Sequence, residues 1–96
     1  MTETMYYILL SLLEPRHGYG VFLHVKGMTN GRVHLGAGTI YNSLSKLERD
    51  KLITMNAHTV RRKIYEITKL GRAVLNAEFI RLEELIANGK KCWIEK

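Results

Sequence analysis

The order of patterns along this chain predicts a mainly α fold with one small β-hairpin: a winged helix-turn-helix with an added C-terminal dimerisation helix. Three observations predict it. Helix-like apolar stretches come first, two short runs rich in β-formers follow (Leu52–Met55 and Arg62–Ile67), and a helical stripe resumes after Thr68. With 96 residues, the chain is long enough for one core and short enough that pairing with a second copy would add much stability. At 46% hydrophobic and 25% charged it is globular and not disordered. No repeat, linker or low-complexity segment interrupts it. Residues 1–70 are expected to form the winged-helix part and residues 71–96 the C-terminal helix, within one compact domain.

Thr2 to Leu13 is apolar on almost every side, so a helix there must be central or shared between subunits. Glu14-Pro15 stops it, because a residue before proline avoids the helical region and proline has no amide hydrogen. Arg16 to Gly20 reads as a turn into a second short helix with Val21, Phe22 and Val25 inward. Gly27 and the Thr29-Asn30-Gly31 cluster end that helix. Arg32 to Leu35 is a brief extended link.

The helix after it, Gly36 to Lys51, organises the rest. Ala37, Ile40, Leu44 and Leu47 fall on one apolar stripe that must dock on a core. The opposite face carries Thr39, Asn42, Lys46 and Arg49, with no carboxylate among them, and Glu48 and Asp50 sit on the flanks. A short helix with one packing side and one hydrogen-bonding, positive side suits a DNA major groove, although an ordinary surface helix has the same amphipathicity. In the groove, the Asn42 amide would suit adenine and the Lys46 cation guanine. Thr39, Tyr41 and Arg49 are better placed for phosphates, which set position without reading sequence.

Asn56 to Arg61 is polar enough to be the hairpin loop. Thr68 is a plausible N-cap for the last helix, where Leu75, Phe79, Leu82 and Ile86 recur at helical spacing and Trp93 follows seven residues on. Gly89 breaks that series and puts the last turn in question.

Charge is unevenly spread. Lys plus Arg number 15 against 9 acids, a net +6 with pI about 9.7, which favours a polyanionic partner. From Ala57 to Arg72, five cations face one acid, with Arg61, Arg62 and Lys63 contiguous. A basic triplet on a hairpin either guards a solvated strand edge or touches the DNA backbone or minor groove. From Ala73 to Asn88 the balance reverses, one cation against three acids, so this helix is expected to meet protein. Its stripe would seat on the first helix of a second copy, with Met5, Leu9, Leu12, Leu75, Phe79, Leu82 and Ile86 at the interface; the other reading is that the stripe closes its own core.

Other chemistries find little support. The four histidines (His17, His24, His34, His58) are scattered, without carboxylates at ligand spacing, so no metal or cofactor and no enzyme activity is expected. The single cysteine, Cys92, has no partner for an internal disulfide and fits a reducing cytoplasm. Lys90 and Lys91 beside it could lower its thiol pKa for redox sensing; an unreactive tail thiol is the plainer reading. The apolar run Met5–Leu13 is too short for a bilayer and follows an acid, so neither a membrane span nor a signal peptide is read and a cytoplasmic location is expected.

Taken together, Tyr7-Ile8-Leu9-Leu10, Glu14-Pro15-x-His17-Gly18-Tyr19, Gly38-Thr39-Ile40-Tyr41, Leu47-Glu48 with Leu52-Ile53, and Arg61-Arg62-Lys63-x-Tyr65 with Thr68-x-x-Gly71-Arg72 resemble the PadR family of bacterial transcriptional regulators over nearly the whole chain. The resemblance implies a winged-helix DNA-binding domain, a homodimer built through the first and last helices, and usually repression. The length resembles the smaller members, which keep one dimerisation helix. It also makes Tyr19 a candidate phosphate donor, the alternative being a half-buried ring beneath the recognition helix. Where the family commonly has Ser-Pro-Gly-Thr-Leu-Tyr, this chain has Gly36-Ala37-Gly38-Thr39-Ile40-Tyr41, so the N-cap hydroxyl and first-turn proline are absent. The expected function is a dimer on a pseudo-palindromic operator in double-stranded DNA, a repressor released by a small molecule or other signal. The alternative is a winged-helix protein-interaction module.

Overall fold

The Thr2 hydroxyl accepts from the Met5 amide at 3.1 Å and caps the first helix, α1 (Glu3–Ser11). The computed structural model describes residues 1–59 and 62–95, with the side chains of residues 57–59 and 62 outside the description. After α1 come α2 (Gly18–Met28), α3 (Ala37–Arg49), β1 (Ile53–Thr59), β2 (Arg62–Ile67) and α4 (Lys69–Ile94). Helix, helix, helix, hairpin, long helix is the predicted winged helix-turn-helix with its C-terminal addition.

α1 is the centre of the core. It touches α2, α3 and α4, and Ile8, Leu9 and Leu12 are wholly buried. Val21 and Val25 of α2, Leu35 of the link, Ile40, Leu44 and Leu47 of α3, Ile53, Tyr65 and Ile67 of the hairpin and Leu75 of α4 complete that cluster. The all-round apolar character of α1 is therefore met largely within one chain. Leu9, Leu12 and Leu75, expected between subunits, are at most 2% exposed and belong to this core. They are too deep to meet a partner. Met5 and Phe79 are half-buried at the core's edge, where Tyr6 meets the Phe79 ring edge-on at 6.1 Å.

Several boundaries move. Gly18 to Gly20 are the first turn of α2 and not a loop. That helix closes with the Gly31 amide donating to Lys26 O at 2.8 Å, while Asn30 and Gly31 take left-handed φ values of 52° and 80°. α3 ends the same way: Leu52 N donates to Leu47 O and Lys51 N to Glu48 O, both at 3.0 Å, with Lys51 at φ 62°. α4 runs through Gly89 without a break to Ile94.

The hairpin is longer than expected, since β1 extends to Thr59 and takes in residues 56–59, expected in the loop. Its polarity misled: Asn56 sits in the ladder opposite Ile64, and its amide reaches Glu66 at 3.3 Å. Ile53 pairs with Ile67 and Met55 with Tyr65, and the register slips between Asn56 and Thr59, a bulge. Arg16 adds a third short edge: its amide donates to Tyr65 O at 3.0 Å, and its carbonyl oxygen accepts from Tyr65 N at 2.8 Å.

Thr68 locks hairpin to helix. Its hydroxyl accepts from Gly71 N at 3.0 Å and donates to Lys51 O at 2.8 Å, and its own amide donates to Leu52 O at 3.0 Å. Farther along α4, Arg81 donates to both oxygens of Glu78 at 2.8 and 2.7 Å. These bonds hold the Glu78 carboxyl below the usual carboxylate range, so this acid, 7% exposed, is part of the packing.

Candidate nucleic-acid interface

α3 presents two faces as its sequence demands. Ile40, Leu44 and Leu47 are at most 3% exposed, and Ser43 joins them below the surface. Thr39, Asn42, Lys46 and Arg49 are all exposed on the other side. Ala37, expected on the packing stripe, is exposed at the helix's first position, ahead of the turn where Ile40 meets the core. Ser45 is exposed three residues after Asn42 and four before Arg49, so it shares their face. Sequence reasoning passed over it for the larger polar groups, although the same spacing points to it.

The start of α3 is open. Gly36 is its N-cap, no side chain caps the terminus, and no acid lies in the first turn. Among the described residues no side chain stands in for the missing hydroxyl, so the first amides lie at the exposed start of the helix with the positive end of its dipole. At the other end Arg49 lies 3.8 Å from Asp50; with both side chains more than half exposed, this pair holds the cation only weakly.

Tyr41 and Tyr19 flank this face, 52% and 60% exposed. Tyr41 lies against the first residue of α2, where a Cβ on Gly18 would come within 2.8 Å of its hydroxyl. Glycine at 18 is what permits this close crossing of α2 and α3. Tyr19 is not tucked beneath the recognition helix. Its ring stacks on Phe22 at 5.7 Å, and Phe22 meets His34 edge-on at 4.9 Å. Between the two helix starts lies a cleft of about 320 Å³.

On the wing, Lys63 is exposed. Arg61 lies outside the described residues, as does the side chain of Arg62. β2 is anchored by Tyr65, 7% exposed, whose phenol pKa is pushed up by burial. Among the described residues no group of three His, Cys, Asp or Glu could hold a metal ion, and no helix is long and apolar enough to cross a membrane. Cys92 is exposed.

The family model of the transcriptional regulator PadR-like family matches residues 8–77, from the middle of α1 to the first turns of α4. The chain belongs to this family. A PadR family transcriptional regulator from Eggerthella lenta superposes with a TM-score of 0.77 at 24% identity, covering 91% of this chain and 78% of that one. Bacillus subtilis PadR, solved in complex with operator DNA, gives a TM-score of 0.68 at 25% identity over 79% of this chain and 47% of its own. In sequence, an uncharacterized protein of Lysinibacillus sphaericus is 30% identical over 80% of this chain and 77% of that protein. The PadR-like fold and the motifs that suggested it therefore agree, and the match spans both α3 and the hairpin.

Proposed function

We propose that this PadR-like chain binds operator DNA as a homodimer and represses transcription until a signal releases it. One observation carries the reading. α3 offers an exposed row of hydroxyl, amide and cationic groups, free of carboxylates, on a helix seated by Ile40, Leu44 and Leu47. A helix of that kind fits the major groove, with Asn42 and Lys46 toward base edges and Thr39, Tyr41 and Arg49 toward phosphates. Tyr19 extends the phosphate row from the start of α2. Lys63, with Arg61 and Arg62 by sequence, gives the wing its backbone contacts. The operator complex of the Bacillus subtilis relative supports the reading as a binder of operator DNA. Two copies joined through Met5, Phe79, Leu82 and Ile86 would set two α3 helices on half-sites about a helical turn apart.

A mobility-shift titration with the DNA upstream of its own gene tests this, run at several salt concentrations beside an unrelated duplex. Selective binding as a two-to-one complex, weakening steeply as salt rises, is the expected result. Binding indifferent to sequence would refute the base-reading roles. No binding at low salt would leave the protein-interaction alternative in its place.

A further inference from the structure

We propose that Arg16 is a positioning residue for the wing, and that a proton on His24 releases it. The consequence for operator binding rests on the DNA reading above; the clamp itself does not.

Two sets of backbone bonds tie β2 to the body. Ile67 N donates to Leu12 O at 2.9 Å, and Tyr65 exchanges a pair of bonds with Arg16. Among the described residues no backbone bond joins β2 to the helical part beyond Tyr65 on the way to the tip. Lys63, the exposed wing cation assigned to a phosphate, lies two residues farther out. Where Arg16 sits therefore sets where Lys63 arrives. What holds Arg16 is its own side chain. The guanidinium donates to Ser11 O, at the end of α1, where a cation also meets the negative end of the helix dipole.

His24 ends on the same serine. The wholly buried Ser11 hydroxyl spends its one hydrogen on Tyr7 O at 2.9 Å, so it accepts from His24 Nδ1–H, also at 2.9 Å. Ser11 thus holds Arg16 by its carbonyl and His24 by its hydroxyl. The two are compatible while the ring is neutral. A proton on Nε2 sets a second cation beside a guanidinium that cannot lose its own. From α1 the ring meets only the uncharged Ser11 hydroxyl. The charges that act on it are Arg16 and, opposing, Glu14, with none from α3 or β2 among the described residues. Burial and then the Arg16 charge lower the His24 pKa from 6.5, and by reciprocity the proton acts on Arg16 as strongly as Arg16 acts on the proton. Arg16 has somewhere to go: the Glu14 carboxylate, its side chain 81% exposed, lies 3.6 Å away. The guanidinium turns to Glu14 and solvent, Ser11 O loses its donor, and the Arg16–Tyr65 edge loosens.

Operator titrations at about pH 7.5 and about pH 5.5 read this device, with single-base operator variants and an unrelated duplex alongside. Acid should weaken the native chain about fivefold or more on every sequence. The salt slope should flatten by about one unit as a wing contact is lost. The ranking of single-base variants should not change, because α3 is seated by its own core residues. Arg16→Met, which keeps the apolar stem, should show the acid behaviour already at the higher pH. Arg16→Lys, whose ammonium reaches toward Ser11 O, should recover part of the loss. His24→Gln should keep the high-pH salt slope at both values; it also carries the charge that His17, His34 and His58 gain in acid. A native salt slope in Arg16→Met, or a native acid response in His24→Gln, would overturn the proposal. So would loss of the base ranking in Arg16→Met, the sign of a general defect in folding. Amide exchange without DNA is the second arm. Protection at Arg16 and Tyr65 should fall in acid and in Arg16→Met while Leu44 and Leu47 hold theirs; a uniform fall, or none, would overturn the clamp. A chain whose Arg16 and Tyr65 amides respond but which binds no DNA would leave the clamp standing and refute the DNA reading, so the two failures are separable.

Discussion

Lys46 and Lys63 bear the same charge on different elements, and their substitution should have different signatures. Lys46 stands on the exposed face of α3, in line with Asn42, the face proposed to meet base edges. Lys46→Ala should cost about 1–3 kcal/mol on the preferred operator and relax the preference at one base-pair position. Lys63→Ala should weaken binding to every sequence alike and flatten the salt slope by about one unit. Titration against a panel of single-base operator variants at two salt concentrations separates them; identical profiles for the two mutants would break the division of roles. A different residue-scale effect belongs to His24. Its Nδ1 lies 2.9 Å from the Ser11 hydroxyl, and its pKa is lowered from 6.5 by burial first and the Arg16 charge second, Glu14 opposing. The fold thus resists protonation that the unfolded chain accepts. Stability should be level above about pH 6.5 and fall as pH drops through 6.5 toward the folded-state pKa. Urea unfolding at about pH 7.5 and about pH 5.5 should show this in the native chain. His24→Gln, which keeps a hydrogen-bonding group near Ser11, should show a smaller fall.

At the scale of elements, two glycines of α4 make opposite predictions from the same substitution. Alanine raises helix propensity by about 0.8–1.0 kcal/mol over glycine. At Gly71 a Cβ would lie 2.1 Å from the Leu52 carbonyl oxygen and 2.6 Å from Ile67 Cγ1. The obstacle is backbone that also accepts the Thr68 amide, so it cannot swing aside, and overpacking of about 1–3 kcal/mol or more outweighs the propensity gain. At Gly89 nothing lies within 4 Å of the added atom, and the propensity gain stands alone. Thermal melts should therefore fall for Gly71→Ala and rise for Gly89→Ala. The pair also shows what sequence could and could not reveal. Periodicity exposed the α3 stripe and the Thr68 cap, because those signals are local. It ended the last helix doubtfully at Gly89 because propensity was weighed without knowing that the neighbouring turns carry it through. It shortened β1 because Asn56 looks like loop until its partner across the ladder is known. The aromatic cleft escaped notice for the same reason: Tyr19, Phe22, His34 and Tyr41 converge only once α2 and α3 cross at Gly18.

For the whole molecule the question is what covers the far half of α4. Twenty-six residues give a rod of about 39 Å, yet its buried residues, Gly71, Leu75 and Glu78, all lie in the first three turns. Beyond them Leu85 and Ile86 are more than half exposed, and Trp93 and Ile94 more than four-fifths. This is an apolar surface that one chain leaves to water, and its continuity with Phe79 and Leu82 places the proposed seam there, not at the buried Leu9 and Leu12. Leu82→Glu should split the dimer in sedimentation. Ile86→Glu, at a 57% exposed position where the monomer's own packing is untouched, should do so without loss of helical signal. Because two linked half-site contacts bind far more tightly than one, operator affinity should fall by about a hundredfold or more in either variant, although neither residue approaches DNA. A variant that stays dimeric and keeps its operator affinity would move the seam off this stripe and leave the exposed row to another partner.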